Sequence, residues 1–87
     1  MVTQMVYNPY KVYLKVEALF FPDGTVKPVA FWWEDGRRFE IDKVLDVRCA
    51  ASTKAGGHGT RFTCRVRGRE VYLFLDDTNR WFMARKQ

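Results

Sequence analysis

The segment from Thr60 to Val66 alternates without exception: Phe62, Cys64 and Val66 are apolar, while Arg61, Thr63 and Arg65 are polar. A two-residue period puts successive side chains on opposite faces of an extended chain, so it demands a sheet with one covered and one wet face. The same period runs from Tyr10 to Phe21, with Val12, Leu14, Val16, Ala18 and Phe20 on one face and Lys11, Tyr13, Lys15 and Glu17 on the other. Turn sequences punctuate these runs: Pro22-Asp23-Gly24-Thr25, Glu34-Asp35-Gly36-Arg37, Gly68 with its neighbours, and Asp76-Asp77-Thr78-Asn79. Each has a mechanism, because Pro presets φ, Gly accepts positive φ, and Asp and Asn bond to their own backbone.

Further short strands are predicted over 29–33, from Arg38 onward, over 70–75 and over 80–85. In the third of the chain's runs the pattern slips, because Ile41, Val44, Leu45 and Val47 cannot share one face of a regular strand. A β-bulge near Asp42-Lys43 accounts for this better than a single helical turn. Ser52 to Gly59 holds three glycines and no apolar period, so it reads as the longest loop. About six short strands at spacings near ten residues make an all-β antiparallel meander. In 87 residues it is expected to form a single domain, bent or closed into a small SH3-like barrel. Residues 1–9 form an N-terminal extension or cover segment.

Composition excludes several classes. With 47% hydrophobic and 16% aromatic residues, the chain is neither disordered nor of low complexity. No apolar run approaches the ~20 residues of a membrane-spanning helix, and Met1 to Tyr10 lacks the pattern of a signal peptide, so a cytoplasmic protein without membrane contact is expected. Cys49 and Cys64 sit in apolar segments without a CxxC spacing and read as two buried free thiols. Neither a cofactor nor a metal is expected, since one histidine and two distant cysteines do not make a ligand set.

No catalytic constellation is visible, so no enzyme is expected. His58 stands alone between glycines. The glycine-rich run 54–60 lacks both GxxxxGK[ST] and GxGxxG. The carboxylates of Asp35, Asp42, Asp46, Asp76 and Asp77 are accounted for by turns and solvent-facing positions.

Charge is more informative. The net charge is +5, yet residues 1–47 carry six basic and seven acidic side chains, whereas residues 48–87 carry nine basic and three acidic. Arg61, Arg65, Arg67 and Arg69 form an outward row, with Arg48, Lys54 and Tyr72 as helpers. Arginines on one strand face, beside an aromatic ring, are the ingredients of a single-stranded DNA or RNA platform without sequence preference. A second reading comes from Phe20-Phe21, Phe31-Trp32-Trp33 and Trp81-Phe82, whose adjacent rings must point to opposite faces. Phe21, Trp32, Trp33 and Trp81 are thus candidates for a homodimer or adaptor interface, unless residues 1–9 or long Arg and Lys stems cover them.

The order Trp32-Trp33, Gly36-Arg37-Arg38-Phe39, Val44-Leu45, Tyr72-Leu73 and Trp81-Phe82 resembles that of small bacterial proteins classed as domains of unknown function. The likeness covers residues 10–85. It implies a β-rich fold and no activity.

Overall fold

The computed structural model describes residues 11–52 and 57–84. Seven antiparallel strands make one sheet: β1 (Lys11–Phe20), β2 (Val26–Trp32), β3 (Arg38–Glu40), β4 (Lys43–Ser52), β5 (Gly57–Val66), β6 (Arg69–Asp76) and β7 (Trp81–Ala84). Three of the tight turns are built alike. In Phe21–Thr25, Trp33–Arg37 and Asp76–Arg80, the first N–H bonds to the fifth carbonyl at 2.9 Å, and the fourth N–H returns to the first carbonyl at 2.9–3.1 Å. The fourth residue must then be left-handed, and Gly24 and Gly36 (φ 90°) and Asn79 (φ 65°) satisfy this. An aspartate fixes each turn by accepting the fifth residue's N–H: Asp23 from Thr25, Asp35 from Arg37, and Asp76 from Arg80. The β5–β6 turn is different. It has two residues, Arg67 and Gly68, both at positive φ (53° and 77°).

The strand order is β3-β2-β1-β7-β6-β5-β4, so consecutive strands β3 and β4 are the two outer edges. Laid flat, seven strands about 4.8 Å apart would hold those edges roughly 29 Å apart. The three Cα steps from Glu40 to Lys43 reach about 11 Å at most. The sheet therefore has to curl into a half-barrel. The junction shows how: Ile41 N–H bonds to Val29 O on β2, and the next residue, Asp42, bonds through its N–H to Arg65 O on β5, at 2.9 and 2.8 Å.

The third run predicted from sequence is thus two strands, which raises the number from six to seven. The irregularity is divided between a break at Ile41-Asp42 and a register shift between Val44 and Asp46, and no helical turn forms there. A second shift between Glu17 and Ala18 faces Pro28, which has no N–H to offer the ladder. Beyond it β1 keeps its alternation, with Ala18 and Phe20 paired to Pro28 and Val26 on the core side, but Phe20, the last residue of the strand and expected inside, is 71% exposed.

The concave side carries the core: Phe31, Phe62, Cys64, Val66, Leu73, Trp81 and Met83, with Phe62 and Trp81 rings 5.3 Å apart. A smaller apolar cluster lies on the convex side, where Phe74 stacks on Phe82 at 5.0 Å and Tyr13 meets Phe82 edge-on at 5.9 Å. Both faces of the sheet therefore bury aromatics. Among the described residues, no helix is long and apolar enough to cross a membrane.

Candidate nucleic-acid interface

Register decides which arginines stand together. Arg61, Thr63 and Arg65 leave β5 on the convex side, because their neighbours Phe62 and Cys64 are buried in the core. Directly across on β6 are Phe74, Tyr72 and Glu70, and across on β4 are Arg48, Asp46 and Lys43. Tyr72 is 51% exposed, and the Arg61 guanidinium lies 4.6 Å from its ring centre. Laying Arg61 flat on the ring leaves its Nε buried without an acceptor. Arg65 is exposed, with Lys43 on one side and Glu70 on the other.

The predicted row of four does not hold. Arg69 pairs with Val66, so it shares the concave side with that core residue. Arg67 is in the turn, and its guanidinium sits 4.9 Å over the ring of Phe39. In a two-residue hairpin, cross-strand partners have opposite parity, so an odd-numbered row on β5 continues through even numbers on β6. Arg61 and Arg65 thus face outward, while Arg67 and Arg69 line the mouth of the half-barrel.

Ion pairing separates the arginines a second time. Arg37 is held by Asp35 at 2.7 Å, Arg38 by Glu17 and Glu40 at 2.9 Å each, Arg48 by Asp46 at 2.7 Å, and Arg80 approaches Asp76 at 3.8 Å. Among the described residues, Arg61, Arg65, Arg67 and Arg69 form no ion pair. Arg48, expected as a helper, is therefore occupied. Lys54 lies outside the described residues. The expected loop is also shorter than its sequence implies, since β4 reaches Ser52 and β5 starts at Gly57, with His58 opposite Ala51.

The candidate interface aromatics are dispersed. Trp81 is 9% exposed and packs in the core, which removes it from any outer surface. Trp33 is half-buried at the mouth. Trp32 is on the outside, but Lys15 Nζ and the Arg38 guanidinium cover its ring at 4.6 and 5.4 Å. Phe21 remains exposed, beside Leu19 and Phe20 at the β1–β2 hairpin. Phe21 was an expected interface residue, but the exposure of Phe20 was not expected: paired with Val26 it stands on the core-facing side of β1, yet as the last residue of the strand, beside the turn, it stays exposed.

The cysteines also separate. Cys64 is buried, and desolvation pushes its thiol up to about 11, so it stays neutral and donates to Phe62 O at 3.6 Å. Cys49, expected to be buried, is exposed on β4. The described residues contain no group of three or more His, Cys, Asp or Glu able to hold a metal ion.

No family model matches this chain, and neither a curated protein nor a solved structure matches it. The likeness to small bacterial β-rich proteins therefore rests on the short motifs alone.

Proposed function

We propose that the protein is a non-enzymatic binding module that holds single-stranded DNA or RNA on the convex face of β5 and β6, without sequence preference. The observation that carries this reading is the separation of the arginines: among the described residues four are engaged by carboxylates, while Arg61 and Arg65 form no ion pair and stand beside an exposed tyrosine. An unneutralised guanidinium keeps its full attraction for phosphate, and Arg can bind phosphate in a bidentate way. Arg61 and Arg65 are four residues apart, about 13 Å along the strand, which lets them take separate phosphates of an extended chain. Tyr72 offers a ring face on which any base can stack.

Titrating a fluorescein-labelled fifteen-nucleotide oligo(dT) and the matching oligo(U) by anisotropy tests this. Affinity is expected to fall as salt rises from 50 to 300 mM, and R61E/R65E to weaken binding at least tenfold. Tyr72→Ala is expected to cost about 1–3 kcal/mol. Binding that ignores both salt and the two arginines contradicts the proposal.

A second reading, a homodimer, is favoured by Leu19, Phe20 and Phe21, which are 49%, 71% and 43% exposed side by side. It predicts a mass near twice 10.3 kDa by light scattering, reduced to the monomer by Phe20→Ser. A wild-type protein that stays monomeric at high concentration removes this reading.

A further inference from the structure

The β3–β4 crossing leaves the half-barrel open between the β2–β3 and β5–β6 hairpins. A cavity of about 460 Å³ occupies this mouth. Its floor is apolar, formed by Phe31, Phe39, Val71 and Met83, and its rim carries Arg37, Arg67 and Arg69. We infer that this mouth binds a small organic anion with an apolar body and a single carboxylate, at a site separate from the convex arginine face.

Three observations converge. The volume falls within the range of small-molecule sites. Apart from the arginines the lining is aliphatic or aromatic, with the Trp33 indole N–H as its one polar side-chain group, so the body of a ligand has to be largely apolar. The rim is selectively positive. Arg37 is already neutralised by Asp35, whereas Arg67 and Arg69 form no ion pair among the described residues. The Asp42 carboxylate accepts the backbone N–H of Arg67 at 3.2 Å but forms no ion pair with its guanidinium.

Arg67 is also held in place for such a ligand. The left-handed turn and the Asp42 bond fix its backbone, and its guanidinium rests 4.9 Å over Phe39, with Arg37 at 5.3 Å from the same ring. A carboxylate at the rim would meet Arg67 and Arg69 together while its chain lay against Val71 and Met83. An uncharged molecule of the same shape would gain only the floor, and an anion without an apolar body only the rim.

Calorimetric titration with decanoate, and with 1-decanol as the uncharged control, tests the inference. Decanoate is expected to bind at one saturable site and at least tenfold more tightly than decanol. R67Q/R69Q, which changes exposed positions, is expected to weaken decanoate at least fivefold. Val71→Trp, which fills the cavity, is expected to abolish binding, with circular dichroism reporting whether the sheet is retained. R61E/R65E is expected to leave decanoate binding unchanged, which distinguishes this site from the nucleic-acid face. Equal affinity for decanoate and decanol, or an R67Q/R69Q protein that binds as wild type, overturns the inference. Displacement of decanoate by oligo(dT) would overturn the separation of the two sites.

Discussion

Asp76 shows how much one side chain can organise. Its Oδ1 accepts the Thr78 N–H and the Arg80 N–H, each at 2.9 Å, and the Thr78 hydroxyl at 2.7 Å. Burial pulls its carboxyl upward, but these bonds and the nearby Arg80 charge outweigh that and hold it below the ordinary carboxylate value of 3.8. A group depressed in the folded state stabilises above its unfolded value, and that stability is lost as pH falls through the folded one. Wild-type stability is therefore expected to fall as pH drops below about 4, and Asp76→Ala to remove part of that acid dependence. The same variant is expected to lose about 1–3 kcal/mol at pH 7 by urea unfolding, because two backbone N–H groups lose their acceptor. The turn aspartates were legible in the sequence because the partners of Asp23, Asp35 and Asp76 lie two to four residues away. The exposure of Cys49 was not, since the apolar run around it gives no sign of which strand ends up at the sheet edge.

Among the strands, alternation located β1 and β5 and placed Phe62, Cys64 and Val66 inside, as found. It failed in two places. The two-residue turn at Arg67-Gly68 sends Arg69 to the concave side, and Phe20, though on the core-facing side opposite Val26, ends its strand exposed. Neither is written in the local pattern, because turn register and the extent of the core along a strand are settled by pairing with other strands. Gly59 carries another long-range constraint. A Cβ there would run into the backbone carbonyl of Leu75 on β6, so the glycine serves a close approach of two strands, where its sequence surroundings imply only a flexible loop. Gly59→Ala is expected to destabilise by about 1–3 kcal/mol, since backbone rather than a side-chain tip has to give way. A thermal melt should register this as a drop of at least several degrees. An unchanged melting temperature would mean that β5 and β6 separate there freely.

At the scale of the whole molecule, one topological fact arranges both candidate surfaces. The edges β3 and β4 are joined by two residues, so the sheet curls, and curling gives it a convex and a concave side. Arg61, Arg65 and Tyr72 then stand on the outside, and Arg67 and Arg69 at the mouth. Fold class was readable from periodicity and turn chemistry, because both are local. The division of one basic hairpin between two surfaces was not, because it follows from strand register. The most direct measurement of the central claim is a residue-resolved 1H–15N chemical-shift titration with unlabelled oligo(dT). The largest changes are expected at Arg61, Thr63, Arg65 and Tyr72, with the core amides of Phe62 and Leu73 following weakly. Changes confined to the mouth around Trp33 and Arg69, or to Leu19–Phe21, would contradict it.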